Sequence, residues 1–600
     1  MRSSRPLVLL RRPQTLPLRP LLRRPLSSVP PTRNINNRTT EYTDSTVYAF
    51  SYLSRTIKYV LISLVGIGAT GLIGFEGLHF WVEKVGMGAP SREDSGIDGV
   101  WGWDGEHQGW TGGPKGGTDP RLGFKARHAL RAAWISQEWG AGSSASIEKG
   151  MHTSAFHPDY VAARSIITTT QADQAGGGVR KRVDRGYEIA DEYVDMAIKE
   201  AKKKGLVFPP ELSGARASGP TFDNDGYKGP HGDPAAMDLL LLKAGVLERI
   251  NTFDSLAYAK DVYEQVLSSL SSSALSPGSV SPGGQAKVMR LASKVGDLCA
   301  RTGSRDEATK WWSWGLGHVG IDIQGKVVGQ VEGKPAAGVK DLPPPVLRAT
   351  IALITSASAQ LATTSSLQAA SELQALGLTY LTPPPLIPAN QTPAAELHWT
   401  WLTQRSSLLK LHLSSVLYAL QKTNPRSLPL LAEAKEEAEE VIADINPMPK
   451  EYLDKSKATT PAAKLLARDA LLTGAEIAFT RGLLLERTVS PAASTSSSWS
   501  IPFFSSLTTS SASKLQPTTL TTLQAAQKEF QRATALSLLE SGADKRKKGP
   551  KEEGQEEAVV VGRGEEWAKY NRSLERVNGK IDELLGVGQG AEVKEEVKKV

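Results

Sequence analysis

Residues 60–75 read VLISLVGIGATGLIGF and place glycines at positions 66, 68 and 71, the G-x-G-x-x-G spacing of a dinucleotide-binding turn. Such a turn must open a helix and lead to a second strand, with an acid about 20 residues further on that binds the ribose. Here more glycines follow, and then the Gly/Trp-rich polar stretch GVWGWDGEHQGWTGGPKGGTDP (99–120). No βαβ unit is predicted, so the spacing does not indicate a nicotinamide or flavin enzyme.

Three further patterns contain residue types that serve catalysis or metal binding. GGPKGGT (112–118) resembles a phosphate loop, but its lysine precedes the last glycines and no strand leads into it. His152 and His157 have no third ligand nearby, and Ser407 and Lys410 stand in a predicted helix without companion motifs. We therefore predict that the protein is not an enzyme and has no cofactor and no metal.

The net charge of +8 is concentrated at the N-terminus. Residues 1–40 hold nine of the 71 basic residues, all arginine, and no acid, so 62 basic and 63 acidic residues remain elsewhere. That balance offers no excess charge to phosphates, and we predict no nucleic-acid partner.

An arginine-rich, acid-free leader is typical of a mitochondrial transit peptide. A disordered basic tail is the alternative, because six prolines between Pro6 and Pro30 interrupt the helix that such leaders form. The single cysteine, Cys299, excludes an intrachain disulfide and a cysteine-based zinc or iron–sulfur site.

Residues 59–82 are predicted to form a transmembrane helix. Tyr59 to Phe75 contains no charged residue, and 24 helical residues rise about 36 Å, enough for a bilayer core. Tyr59 and Trp81 resemble interfacial anchors. A stripe of small residues follows at i, i+4 and i+8: Gly66, Thr70 and Gly74. The stripe either lets another membrane helix approach closely or reflects the abundance of glycine in membrane helices.

The residues that flank this segment predict its orientation. Basic side chains precede it at positions 33, 38, 55 and 58, whereas both signs of charge follow it at 83–94. Because the more positive flank stays on the side of insertion, the N-terminus is expected in the matrix. The chain is thus predicted to be a single-pass inner-membrane protein with its C-terminal domain in the intermembrane space.

From about residue 180, apolar residues recur at three- and four-residue spacing, which predicts an all-α fold. The clearest helix pair is LASKVGDLCARTGSRDEATKWWSWGL (291–316). Its signature positions, spaced by 12, 4 and 3 residues, are Gly296, Ala308, Trp312 and Gly315. Small residues at these positions let the two helices touch, and the aromatic ring fills the gap towards the next pair. The pattern resembles a tetratricopeptide repeat and predicts a helical repeat array, an α-solenoid.

Further helix pairs are predicted at 239–267, 351–378 and 396–445, and one joins 461–487 to 517–540. The predicted boundaries are a transit peptide at 1–40, a matrix-side segment at 41–58, the transmembrane helix at 59–82, a Gly/Trp-rich juxtamembrane region at 83–179, tetratricopeptide-like repeats at 180–488, a Ser/Thr-rich insertion at 489–516, a repeat helix at 517–540, a charged disordered loop at 541–563, a capping helix at 564–586 and a disordered tail at 587–600.

Five tryptophans lie between residues 101 and 139: Trp101, Trp103, Trp110, Trp134 and Trp139. Two interpretations stay open. The tryptophans either pack against the repeat array, or they form a juxtamembrane platform that docks a partner or lies on the bilayer surface.

A presequence, one N-terminal span and an array of tetratricopeptide-like repeats together resemble the adaptor subunit of the fungal mitochondrial i-AAA protease. Residues 180–320 carry most of this resemblance, including LLLLKAGVLERINTFDSLAYAKDVYEQVL (239–267). The resemblance implies a non-enzymatic adaptor that binds unfolded clients and presents them to the protease. The expected partners are therefore the i-AAA protease, its clients, other membrane helices and inner-membrane lipid.

In such arrays the first helix of each pair lines the concave groove. In the clearest pair, the polar residues predicted to face that groove are Arg290, Asp297 and Arg301. Their mixed charge suits an extended peptide segment. An assembly or import scaffold that uses the same groove for other protein partners is the alternative.

Overall fold

The computed structural model describes residues 37–88, 101–106, 110–113, 116–139, 185–211, 232–274, 281–325, 342–364, 366–381, 392–420, 426–445, 459–489, 516–540 and 565–585. These residues contain fourteen α-helices and no β-strand, so the all-α prediction is confirmed for them. Several predicted features lie outside the described residues: most of the transit peptide, nearly all of the Ser/Thr-rich insertion, the charged loop, the C-terminal tail, and His152 and His157.

The chain divides into two compact units, residues 1–76 and 77–600. In the first unit the described residues belong to one helix, α1 (Asn37–Trp81), which continues a few residues into the second. Helix α1 is longer than the predicted span, because residues 41–58 are helical as well.

The small-residue stripe of α1 is open: an added Cβ at Gly66 or Gly74 meets no atom within 4 Å. The hydroxyl of Thr70 donates to the Gly66 carbonyl at 2.9 Å, so this donor has its hydrogen-bond partner within α1.

Two described helices are long and apolar enough to cross a membrane. In residues Tyr48–Gly86 the most apolar 18-residue window has a mean hydropathy of 1.7, and none of it is buried. In residues Pro344–Thr363 the corresponding window has a mean hydropathy of 1.2, but 56% of it is buried. The second helix therefore belongs to the protein core.

The second unit consists of helices α2 (Gly123–Glu138), α3 (Arg185–Lys203), α4 (Pro234–Ile250), α5 (Phe253–Ala274), α6 (Pro282–Arg301), α7 (Arg305–Gly317), α8 (Pro344–Thr363), α9 (Leu367–Leu381), α10 (Pro393–Leu420), α11 (Ser427–Ile445), α12 (Thr459–Val489), α13 (Gln516–Glu540) and α14 (Glu565–Leu585). Each helix from α2 to α14 packs on the next in sequence. First helices of successive pairs also touch, α6 on α8, α8 on α10 and α10 on α12. The unit is thus an array of helix pairs, with a seam of first helices that runs from α6 to α12.

Proline, serine and glycine set the ends of these helices. Four helices begin with proline, whose missing N–H is not needed in a first turn, at Pro234, Pro282, Pro344 and Pro393. Ser281 caps α6 by accepting a hydrogen bond from the Gly284 N–H at 3.2 Å. Between α6 and α7 the chain turns at Gly303, whose φ of 90° favours a residue without a side chain.

The signature residues of the clearest pair meet where α6 and α7 cross. A Cβ added to Gly296 would lie 2.5 Å from Nε1 of Trp312, so the indole occupies the space that the glycine leaves. Leu353 of α8 packs against Gly315. Its two methyl groups would lie 3.1 Å from a Cβ added to Gly315. Ala308 and Trp312 are fully buried. Small residues therefore allow close packing within the pair and between α7 and the next pair.

The last described helix, α14, covers the end of the array. Tyr570 of α14 lies against Phe479 of α12, with ring centroids 5.0 Å apart. The buried carboxylate of Glu486, also on α12, accepts hydrogen bonds from Arg576 and Lys580 at 2.7–2.9 Å. Apolar packing and these ion pairs together fix α14 to the array.

Candidate functional site: a groove lined by first helices

A groove of about 260 Å³ lies between α8, α10 and α12. These are the first helices of three successive pairs, and α9 contributes only one residue to the lining, Gln374. The groove therefore follows the seam along which first helices meet.

One wall of the groove is made of small side chains. On α8, residues at positions 352, 355, 356, 359, 362 and 363 line it, and all are alanine, serine or threonine. This three- and four-residue spacing places them on one face of the helix. Leu408, Leu411 and Val416 of α10 form an apolar part of the opposite wall. The small side chains of α8 leave the space that larger residues would fill.

Two polar groups in the groove lack a hydrogen-bond partner among the described residues. Gln374 is completely buried, and its Nε2 lies 3.4 Å from the hydroxyl of Ser358, but its Oε1 accepts no hydrogen bond. Nδ1 of His412 is equally unpaired. Burial, together with the Arg405 guanidinium, lowers the pKa of His412 to about 4, so the imidazole is neutral at pH 7. The groove lining thus includes a neutral amide and a neutral imidazole whose unpaired atoms are buried.

Two charged residues, Arg405 and Glu476, belong to the groove lining, and Arg405 is paired with a buried carboxylate. The Arg405 guanidinium lies 3.1 Å from the Asp469 carboxylate, and both side chains are buried. The same guanidinium lies over the ring of Trp401, 5.3 Å from its centroid. Because Arg405 is held in place on two sides, it lines the groove without presenting a free charge.

Ser407 and Lys410 do not form a catalytic pair. The Ser407 hydroxyl is buried and donates to the Gln404 carbonyl at 2.8 Å, whereas Lys410 pairs with Glu433 and Glu437 of α11. Cys299 is buried, which raises the pKa of its thiol. Among the described residues no three His, Cys, Asp or Glu side chains could hold a metal ion together.

The three residues predicted to bind partners lie on α6, away from the groove lining: Arg290, Asp297 and Arg301. Arg290 donates from Nη2 to the Gly105 carbonyl at 2.8 Å. Arg301 donates to Oδ1 of Asn251, and Asp297 is only 6% exposed. All three are engaged within the chain, so reversing the arginine charges would disturb internal contacts as well as any partner. The groove between α8, α10 and α12 was not predicted from the sequence, although the small residues of α8 that line it can be seen there.

The chain matches no protein-family model and no curated protein. A function must therefore be argued from the groove and from the elements that surround it.

The tryptophan segment at 101–106 packs against the array next to this groove. Trp103 donates from Nε1 to the Ala394 carbonyl at 2.9 Å and lies 3.8 Å beneath the Arg348 guanidinium. Arg348 also donates to the Trp101 carbonyl at 2.6 Å, and its Nη1 lies 3.0 Å from Nδ1 of His398. The segment thereby joins the start of α8 to the start of α10, two of the helices that line the groove.

This junction should lose stability in mild acid. Burial and the neighbouring Arg348 lower the pKa of His398 to about 3, whereas an unfolded histidine titrates near 6.5. The rings of Trp101, Trp103 and Trp399 also lie against the imidazole, and Arg348 pairs with the carboxylate of Glu106. The stability that depends on neutral His398 is complete above pH ~6.5 and is lost as the pH falls towards ~3, because only the unfolded state binds the proton. From pH 7 to pH 5 we expect a loss of about 2 kcal/mol in the free energy of unfolding.

The measurement is thermal unfolding of the full chain in detergent across this pH range, with His398→Asn for comparison. The variant should be less stable at pH 7 but show a flatter dependence on pH. Parallel curves for the two proteins would show that His398 is not the group that titrates.

Proposed function

We propose that this chain is a membrane-anchored, non-enzymatic adaptor that binds extended segments of other proteins in the groove between α8, α10 and α12. The observation that carries the proposal is that first helices of three successive pairs line one groove. In tetratricopeptide-like arrays this surface is the concave face, on which partner segments bind.

The chemistry of the groove supports an extended peptide as its occupant. Leucine and valine side chains offer an apolar surface, and the lining also contains the buried amide of Gln374, the imidazole of His412 and one carboxylate, that of Glu476. A peptide backbone carries one donor and one acceptor in each residue, so a mixed apolar and polar lining suits it.

The proposed setting is the mitochondrial inner membrane, with residues 59–82 of α1 as the span, the N-terminus in the matrix and the array in the intermembrane space. The length and apolar surface of α1 support the span. The partners that we propose are the i-AAA protease and its unfolded clients, and the stripe of Gly66, Thr70 and Gly74 is proposed to contact another membrane helix. An assembly or import scaffold remains the second candidate, because the same groove would serve either role.

Filling the groove should abolish client binding. Ala359 lies in the small-residue wall, so Ala359→Trp places an indole inside the groove. Ala443→Trp is the matched control, because Ala443 is exposed on α11, a second helix. We expect the affinity for an unfolded model protein to fall at least tenfold for Ala359→Trp, about 1.4 kcal/mol or more, and to stay unchanged for the control.

The affinity is measured with the full chain in nanodiscs and a fluorescent, permanently unfolded protein, and circular dichroism verifies that both variants are folded. Equal affinity for the two variants would exclude the groove as the binding site. Co-purification from solubilised mitochondria then separates the two candidates. Recovery of the i-AAA protease with the wild-type chain favours the adaptor, whereas recovery of assembly or import components without the protease favours the scaffold.

A further inference from the structure

Three hydroxyl groups of the groove lining have already used their protons within the chain. The hydroxyls of Thr355 and Thr363 each donate to a backbone carbonyl of α8 at 2.8 Å. The hydroxyl of Ser415 donates to a backbone carbonyl of α10 at 3.0 Å. A hydroxyl group has one proton to donate and two lone pairs that accept. Towards an occupant of the groove these three side chains are therefore acceptors.

The amide and the guanidinium in the lining both donate to other groups of the chain. The Nε2 group of Gln374 lies 3.4 Å from the hydroxyl of Ser358. Nη2 of Arg405 donates to the Asp469 carboxylate at 3.1 Å. Among the lining side chains whose hydrogen bonds the structure gives, donors are thus in use and acceptors are left over.

The charges of the lining do not cancel once their partners are counted. Glu476, half-buried on α12, lines the groove together with Arg405. Because Arg405 faces the buried carboxylate of Asp469, one guanidinium stands against two carboxylates. Lys410 pairs with two carboxylates of α11, and burial and Arg405 lower the pKa of His412 to about 4, so neither adds a positive charge to the groove. This part of the groove therefore has an excess of one negative charge.

The rest of the lining suits a flexible aliphatic chain. Leu408, Leu411 and Val416 lie on one wall, and the alanines at positions 352, 359 and 362 lie on the other. The methylene groups of lysine or arginine can lie along such a surface while the cationic head stays with polar groups. An acidic side chain in the same place would set its charge against the Glu476 carboxylate.

We propose that the groove selects partner segments that carry a lysine or arginine, whose cationic head binds the Glu476 carboxylate and the hydroxyl oxygens of the lining. This inference rests on the proposed function, because it names the chemistry of the segment that occupies the groove. A cationic head donates to these acceptors, compensates the excess negative charge and needs none of the donors already in use. An uncharged occupant would displace water from the carboxylate without replacing its hydrogen bonds.

The test measures the binding of three fluorescent peptides to the full chain in nanodiscs of phosphatidylcholine. The peptides share one extended, otherwise uncharged sequence and have lysine, norleucine or glutamate at the central position. Norleucine keeps the aliphatic stem of lysine without its charge. We expect the lysine peptide to bind about tenfold more tightly than the norleucine peptide, the lower end of the gain from a hydrogen bond to a charged group. The glutamate peptide should bind most weakly, and the preference for lysine should shrink as the salt concentration rises.

Glu476→Gln should make the lysine and norleucine peptides bind alike. Glu436→Gln is the matched control, because Glu436 is exposed on α11 and is not in the groove lining, and this variant should keep the preference for lysine. Circular dichroism verifies that both variants are folded. Equal binding of the lysine and norleucine peptides to the wild-type chain would overturn the inference, as would a preference that Glu476→Gln leaves intact.

Ala359→Trp separates failure of this inference from failure of the proposed function. If this variant binds the three peptides as the wild type does, the groove is not the binding site, and the proposed function and the inference fail together. If it abolishes binding while the wild type shows no preference for lysine, the groove stands as the binding site and its selectivity for a basic side chain is overturned. Failure of the wild type to bind any of the peptides removes both.

Discussion

Replacing Glu83 with glutamine should lower the free energy of unfolding of the α2 region by about 3 kcal/mol. Oε1 of Glu83 accepts from Thr118 and Arg127, and Oε2 accepts from Arg131, whose side chain is itself buried. Glutamine keeps the shape, but it removes the negative charge and turns an amide N–H₂ towards an arginine. Arg131 then carries a buried charge without compensation, and this uncompensated charge causes most of the loss.

The matched control is Glu192→Gln, because Glu192 is exposed on α3, which packs on α2. Hydrogen exchange of the α2 amides in detergent gives the local free energy, and the melting temperature gives the global effect. We expect faster exchange in α2 for Glu83→Gln and no change for the control. Identical exchange in all three proteins would show that the network does not stabilise the helix.

The second large effect is expected at Gly296. Gly296→Leu should destabilise the array by about 3 kcal/mol, the upper end of the usual cost of overpacking. The added Cβ alone would lie 2.5–2.8 Å from three atoms of the Trp312 indole. That ring is fully buried and cannot move into solvent, so α6 and α7 must separate. Because neighbouring pairs share their core, loosening this pair should weaken the packing of α8 as well.

Gly283→Leu is the control on the same helix, since a Cβ at Gly283 meets no atom within 4 Å. Leucine also has a higher helix propensity than glycine, so the control should be as stable as the wild type or slightly more stable. Thermal unfolding of both variants decides the matter. A melting temperature for Gly296→Leu equal to that of the control would contradict the helix contact seen between Gly296 and Trp312.

Local periodicity was enough to predict the helix pairs but not how distant segments meet. The 12, 4 and 3 spacing around Trp312 reflects contacts between two helices that are adjacent in sequence. A short stretch of sequence is therefore enough to recognise it. Glu83 and Arg131 are 48 residues apart, and no pattern in the sequence around either residue indicates that they pair. The same holds for Trp103 and Arg348. Helix α1 extends to Asn37 because nothing in residues 41–58 breaks a helix, whereas the predicted span begins at Tyr59, where the uncharged run begins.

In the candidate site, too, local features were predictable from the sequence and long-range contacts were not. The polar residues of α6 were expected on an open groove, but Arg290 contacts Gly105 of the tryptophan segment, and sequence gave no sign of that contact. The groove between α8, α10 and α12 has a local signature, the small residues that repeat along α8. That signature alone could equally mark tight helix packing. Only the relative position of three helices decides that it is an opening, and this position depends on long-range contacts.

The hydrogen bond from Trp103 to Ala394 joins residues 291 positions apart. During synthesis from the N-terminus, Trp103 has no acceptor until the 291 positions up to Ala394 have followed. Long-range pairing of this kind is slow, and apolar segments that wait for it are prone to aggregate. The tryptophan segment therefore completes its packing only after α8 and α10 have followed. A truncated product that ends before α10 would leave the indole N–H of Trp103 without its acceptor, the Ala394 carbonyl.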